Sequence, residues 1–397
     1  MDGSTLGDRV RAVRMRRGLT QRELAAGSGV SLSEVKKLES GALMTARAAT
    51  LLALAGPLEV TVSSLAGGPD EVPPSEDDVT TWEPVRSAID GACAGPPDRE
   101  ATLAGVEAGC ADAVRLVLES RFAEVRVLLP LLLRDAGALA AAAGDDPAAR
   151  VALSRARQVT GYMLGQTWQL AAARYALALA GDDSAGDPAA GLAAAAWLAW
   201  ARLRGGDLDG CAALASDWAD RSEPRFTRAS PDEIAGWGRL QVTIATAAAR
   251  DNRPRQAADA LRWAQTAAAA AGTDYVPASS PLDVFGPRTV AMAAGEIALV
   301  QGNPARALRI TERMTGRGFP VPRNWLRSRL DVAAAHACLG NDEVAAAVLA
   351  RVRDAAPEWL SHQRGARETV AILAGRPRRI IAAEVRALAA AVRLPLL

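Results

Sequence analysis

The stretch TQRELAAGSGVSLSEVKKLESG, residues 20–41, decides how the N-terminal part of this chain folds. Thr20 followed three residues later by Glu23 is a capping box that starts a helix, with Leu24 and Ala25 turned inward. Gly29 suits the left-handed backbone of a tight turn. Ser31 with Glu34 predicts a second capping box and a helix running through Glu39, which Gly41 ends. At 100° per residue, Val35 and Leu38 point to one side of that helix while Ser33, Lys36 and Lys37 point to the other.

Working outward, Leu6, Val10, Val13 and Met15 predict an apolar side for a preceding helix that Gly18 stops, and residues 6–66 divide into five short helices. Two short helices joined by a glycine-containing turn form a helix-turn-helix, whose second member enters the major groove of DNA. The residues facing away from the apolar side fit that use. Lysine can address guanine O6 and N7, and serine can donate or accept at a base edge. Gln21 and Arg22, at the start of the first helix of the pair, stand where backbone amides and side chains meet phosphate. Glu34 has two readings: closing the capping box, which is preferred, or accepting from cytosine N4.

Charge divides along the same line. The 397 residues carry 46 basic and 45 acidic side chains, a net of +1, too balanced for a chain that coats nucleic acid along its length. Residues 9–47, however, hold nine bases against Glu23, Glu34 and Glu39, so a basic patch hides in the neutral total. The only two lysines of the chain are the adjacent pair Lys36 and Lys37.

Residues 67–78, GGPDEVPPSEDD, read as an acidic Pro/Gly linker. The organisation predicted is a helix-turn-helix domain over 1–66, a linker over 67–80 and a helical region over 81–397. In that last region apolar residues recur at three- and four-residue spacing and strand signals are scarce. Small-polar pairs interrupt it at Gly165-Gln166, Gly206-Asp207, Asp251-Asn252, Gly302-Asn303 and Gly340-Asn341. Five residues after each pair comes Ala171, Ala212, Ala257, Leu308 or Ala346, a residue expected to let the second helix of a hairpin lie close to the first. Stacked hairpins of this kind make an α-solenoid. The fold class expected is all-α, and the segment 274–287, DYVPASSPLDVFGP, is expected at one rim as a connection. These units resemble degenerate tetratricopeptide repeats, with longer and more variable spacers.

Nine tryptophans stand against three tyrosines and four phenylalanines. Large aromatics fill gaps between Ala-rich helices, or line a groove for an apolar ligand. Trp197 and Trp200, three apart on one Ala-Leu helix, share a face and are the best candidates for a pocket, with Trp168 and Trp237 as further ones. Cys93, Cys110, Cys211 and Cys338 form no CxxC and have only His336 and His362 near in type, so they read as small buried apolar residues in a reduced compartment. No metal, cofactor, secretory signal or membrane span is expected. The sequence holds no GxSxG, Gly-rich phosphate loop or HExxH, and no enzyme activity is expected. Arg376 to Arg379 reads as a solvated helix end.

Residues 6–66 resemble the Cro and phage-repressor-like regulators, also called the xenobiotic-response-element family. The matching pattern is Leu6, Arg9, Arg14, Gly18-Leu19-Thr20-Gln21, Glu23-Leu24-Ala25, Gly29-Val30-Ser31, Val35, Leu38-Glu39 and Gly41. The resemblance implies that Gln21 clamps a phosphate, that Ser31, Leu32, Ser33, Lys36 and Lys37 face bases, and that Arg14 pairs with Glu39. Family members often carry Thr or Ser at the position of Glu34, and Arg or Ser where the lysines stand, so an operator sequence does not transfer. The stretch from Val284, VFGPRTVAMAAGEIALVQGNPARALRI, resembles actinobacterial regulators that join such a head to tetratricopeptide-like repeats, which implies sensing or dimerisation.

The function expected is a cytoplasmic, homodimeric transcription regulator that binds double-stranded DNA at a palindromic operator under a small-molecule or peptide effector. The alternative is a repeat adaptor whose head serves docking.

Overall fold

The computed structural model describes residues 5–43, 46–66, 80–89, 100–184, 187–311, 314, 322–376 and 381–395. The predicted linker, Cys93 and most of the Arg376 to Arg379 run lie outside the described residues. Among the described residues the chain is all-α, and its only extended pairing is an antiparallel bridge between Tyr275 and Phe285.

Five short helices make the head: α1 (Leu6–Arg16), α2 (Gln21–Ser28), α3 (Leu32–Glu39), α4 (Ala48–Leu58) and α5 (Val62–Ala66). Leu6, Val10, Val13, Leu24, Val35, Leu38, Leu54, Leu58 and Leu65 bury one core between them. Met15 is not part of it: at 61% exposure it faces solvent. Nine steps of 100° from Leu6 carry it to the opposite side of α1 from Leu6, Val10 and Val13. Arg9 of α1 and Arg17 at its C-cap close the far helix ends. Arg9 donates to the carbonyls of Leu65 (2.6 Å) and Ala66 (2.5 Å), and Arg17 to those of Leu58 (3.0 Å) and Glu59 (3.2 Å). Cationic donors suit the unpaired carbonyls at helix C-termini.

After α6 (Glu83–Ile89) the chain runs through helical hairpins: α7 (Leu103–Leu118) with α8 (Phe122–Ala143), α9 (Pro147–Gln166) with α10 (Leu170–Asp183), and α11 (Pro188–Arg204) with α12 (Leu208–Arg221). Next come α13 (Pro231–Arg250) with α14 (Pro254–Ala271), α15 (Pro287–Val300) with α16 (Pro304–Thr311), and α17 (Pro322–Cys338) with α18 (Asp342–Ala355). The short α19 (Pro357–Ser361) leads into α20 (Arg364–Ala374) and α21 (Ala382–Ala391). First helices also pack on first helices, α9 on α11, α11 on α13, α13 on α15 and α15 on α17, so the hairpins stack.

One backbone device repeats in the turns. Ser120, Trp168, Gly206, Asn252, Gly302 and Gly340 all have left-handed φ, and each lies two residues before the start of the second helix of its hairpin. The buried residue that follows is five positions on: Val125, Ala173, Cys211, Ala257, Ala307 and Ala345, none more than 3% exposed. In the α9–α10 turn the expected Gly165-Gln166 break is still helix. The left-handed residue is Trp168, and Ala171, expected inside, is exposed in favour of Ala173.

Segment 274–287 is not a rim connection. Ser280, Leu282, Asp283, Val284 and Phe285 are all buried, and Phe285 lies over Gly238, where a Cβ would enter its ring. The Tyr275–Phe285 bridge pinches the loop so that its tip turns in among the first helices rather than passing outside them.

No described helix is long and apolar enough to cross a membrane, and the described residues hold no cluster of metal-ligating side chains. Cys110 and Cys211 are buried, and burial pushes their thiols up to about 11 and about 12. Cys338 departs from the expectation and is exposed, because it ends α17 at the turn.

Candidate nucleic-acid interface and helical-repeat cleft

The face of α3 follows from how its back is held. Val35 and Leu38 are fully buried, and Glu39 is buried beside them. Arg14 grips Glu39 with two bonds, Nε to Oε1 at 2.6 Å and Nη2 to Oε2 at 2.8 Å, and sends Nη1 to the Leu19 carbonyl at 2.7 Å. Gln21 Nε2 donates to Glu39 Oε2 at 2.9 Å. One carboxylate thereby ties α1, α2 and α3 together. Burial pushes the Glu39 carboxyl up, but the bonds from Arg14 and Gln21 outweigh it and hold the group below the usual glutamate range.

With its back fixed, α3 presents Ser31, Ser33, Lys36 and Lys37 to solvent, with Leu32 and Glu34 half-buried at the margin. Ser31 caps the helix by accepting from the Glu34 amide at 3.1 Å. Arg22 is exposed at the start of α2. The turn between the helices is closed by Gly29 at φ 71°, which accounts for glycine there.

Farther along the chain, the first helices of the stack enclose a cleft of about 190 Å³. Tyr162 comes from α9, Trp197, Trp200, Leu203 and Arg204 from α11, Arg239 and Arg250 from α13, Glu296 from α15, and Arg327 and Asp331 from α17. Arg250 pairs with Glu296; Arg327 reaches Asp331 at 2.6 Å and Glu296 at 3.7 Å. Burial pushes Glu296 up, but Arg250 and Arg327 more than reverse this and hold it down, whereas burial wins at Asp331 and raises it. The buried loop closes one side, with Asp283 3.3 Å from Arg239 and Ser280 Oγ accepting from Trp197 Nε1 at 2.9 Å.

Residues 10–65 match the helix-turn-helix family model. No curated protein matches the chain. Among solved structures, it is similar to the crystal structure of Bacillus thuringiensis PlcR in complex with the peptide PapR7 and DNA, at 14% identity and a TM-score of 0.36, covering 78% of this chain and 94% of that one.

Within the helix-turn-helix head, every residue expected at a base or phosphate is at the surface or its margin, and the roles assigned to three of them sharpen. Gln21, expected on a phosphate, has its amide on Glu39, so only its second amide proton and its carbonyl are open to other partners. The Thr20–Glu23 capping box forms in full, Glu23 N to Thr20 Oγ1 at 3.2 Å and Thr20 N to Glu23 Oε2 at 2.8 Å. The Ser31–Glu34 box forms by half only. The Glu34 carboxylate takes a long bond from Thr50 Oγ1 at 3.5 Å instead of returning to Ser31, because α4 supplies a donor on that side.

Of the four tryptophans expected at a pocket, Trp197 and Trp200 line the cleft, edge to face with centroids 5.6 Å apart. Trp168 sits beside it, held by its indole bond to the His362 carbonyl at 2.8 Å and flanked by Arg204 and Arg364. Trp237 is elsewhere: it lies on the far side of α13 from Arg239 and Arg250, donates to the Ala219 carbonyl at 3.0 Å and packs with Phe226 and Trp263. Sequence reasoning missed the cleft arginines, since in a chain with this much arginine nothing in their spacing marks them.

Proposed function

We propose that the chain is a sequence-specific DNA-binding transcription regulator, a homodimer on a palindromic operator, controlled by an effector bound among its cytoplasmic tetratricopeptide-like repeats. One observation carries this reading: α3 is anchored from behind by Val35, Leu38 and the Arg14–Glu39–Gln21 set, while Ser33, Lys36 and Lys37 are exposed in front and Ser31 caps the helix start beside them. A recognition helix needs that division, a rigid back to fix register and donors in front to read bases. The match of residues 10–65 to the helix-turn-helix model supports the same assignment. In a dimer the two α3 helices would fall about one DNA turn apart, ~34 to 36 Å, and an effector would act by favouring one separation.

Footprinting on genomic fragments, followed by gel-shift titration of the protected site, tests the proposal. Lys36→Ala and Lys37→Ala should each cost about 1 to 3 kcal/mol and relax preference at one position per half-site. If both variants bind every operator variant as the unaltered protein does, α3 is not the reading element.

A further inference from the structure

Among the described residues, the cleft contains one cation that its carboxylates do not neutralise. Arg239 faces Asp283, Arg250 faces Glu296, and Arg327 faces Asp331 and Glu296. No carboxylate among the described residues faces Arg204: Nε donates to Gly165 O at 2.8 Å, Nη2 to Gln166 O at 3.2 Å and His362 O at 3.4 Å, and the guanidinium carbon lies 4.4 Å from the Trp168 ring centre. Its Nη1 has no acceptor among the described residues. Carbonyl oxygens satisfy donors but leave the charge uncompensated, and a half-desolvated charge without a counter-charge is costly. Burial pushes Arg204 down to about 9, still well above neutrality, so the group remains a cation in the cell.

The surroundings define what would complete it. Trp200 lies 5.6 Å from the guanidinium carbon, and Tyr162 stacks on Trp200 with centroids 5.3 Å apart and planes 18° from parallel. A flat apolar wall therefore adjoins the free donor. The volume, about 190 Å³, is a little above the ~150 Å³ that accommodates benzene and below the ~300 Å³ where drug-sized pockets begin. An extended peptide would need the groove open along its length. The Ser280–Trp197 and Asp283–Arg239 contacts of the inserted loop obstruct that path.

We propose that the cleft binds a small aromatic carboxylate, its anionic end on Arg204 and its ring against Trp200, and that α11 carries the occupancy to the head. Leu203, adjacent to Arg204, lines the cleft and also packs against the head core together with Leu208. The binding half stands on the cleft alone; the transmission half rests on the DNA-binding reading.

Benzoate, benzamide and acetate added to the full chain, with tryptophan fluorescence and thermal shift as readouts, test the first half. Benzoate should saturate, and benzamide, which lacks the charge, and acetate, which lacks the ring, should each bind about tenfold or more weakly. Arg204→Gln should lose benzoate, and Arg204→Lys should keep the preference for benzoate over benzamide. Equal binding of benzoate and benzamide, no saturable benzoate binding by the folded protein, or undiminished binding by folded Arg204→Gln overturns the ligand class. Should Arg204→Gln not fold, the three-probe comparison on the unaltered protein decides. Benzoate should also change operator affinity, and Leu208→Ala, whose side chain lies in the head core and not in the cleft lining, should bind benzoate but lose that change; an unchanged response in Leu208→Ala overturns transmission from α11 to the head. Benzoate binding without any sequence-selective DNA binding would remove the regulator reading and leave the ligand class standing.

Discussion

Glu39 shows how one side chain decides what α3 can do. It is 8% exposed, takes both arms of Arg14 and the amide of Gln21, and has Arg11 as a more distant positive neighbour. Its folded-state value is lowered, so its contribution is complete above the unfolded glutamate value of ~4.3 and is lost as pH falls through the lowered one. Glu39→Gln keeps the shape and removes the charge, leaving Arg14 half-buried without a counter-ion. The head should lose about 2 to 4 kcal/mol, measured by denaturant titration, and its stability below pH 5 should fall less steeply than that of the unaltered protein. Equal acid slopes for the two proteins would show that another carboxylate governs the head. The residue was legible in the sequence through the family pattern, but the third partner was not. Gln21 was read as facing phosphate because its position at the start of α2 is visible in a sequence, whereas its reach to α3 is a matter of tertiary packing.

Among elements, the hairpin turns divide into those the sequence announces and those it conceals. Gly206, Asn252, Gly302 and Gly340 carry the residue types that favour left-handed backbone, so four turns were placed from the letters alone. Ser120 and Trp168 adopt the same conformation without that signature, and the first was missed while the second was set two residues early. What aligns all six is the small or branched residue five positions later, a signal that shows only once the turn is known. Glycine has two separate duties here. At Gly340 (φ 78°) a methyl group would meet nothing within 4 Å, so Gly340→Ala should cost about 1 kcal/mol through backbone strain alone. At Gly238 a methyl group would enter the Phe285 ring, so Gly238→Ala should cost more, about 1 to 3 kcal/mol, by displacing the inserted loop. Pairing each with Phe285→Leu separates the two mechanisms. The second partner should relieve Gly238→Ala and leave the Gly340→Ala cost unchanged; equal behaviour of both in chemical denaturation would refute the steric account.

At the scale of the whole molecule, the net charge concealed the basic head and the structure now narrows it. Of the nine bases between residues 9 and 47, Arg9, Arg14 and Arg17 are engaged by carbonyls or carboxylates, leaving Arg11, Arg16, Arg22, Lys36, Lys37 and Arg47 exposed. A dimer using three to five of these per head would neutralise six to ten phosphates. Operator affinity should then fall by about 10³ to 10⁵ between 50 and 200 mM salt, a slope that gel-shift titration reads directly. The sequence reading puts an acidic linker between the head and the repeats along the chain. In space the two meet: Leu208, at the start of α12, is buried in the head core with Leu203 packed alongside, and Asn252, in the α13–α14 turn, donates to the Val60 carbonyl at 3.1 Å. Two successive hairpin turns thus touch the head, one of them at the α4–α5 connection, a contact invisible to local patterning because its partners are more than 130 residues apart. Leu208→Ala would leave a void in that junction worth about 2 to 3 kcal/mol. Asn252→Gly keeps the left-handed turn and deletes one bond, worth about 0.5 to 1.5 kcal/mol. Both should speed amide hydrogen exchange in α4 and α5, the first more than the second, while protection in α15 to α18 stays as it was. Unchanged exchange of α4 and α5 in both variants would mean that the head is held by something other than these turns, and the path from Arg204 to the head would lose its physical basis.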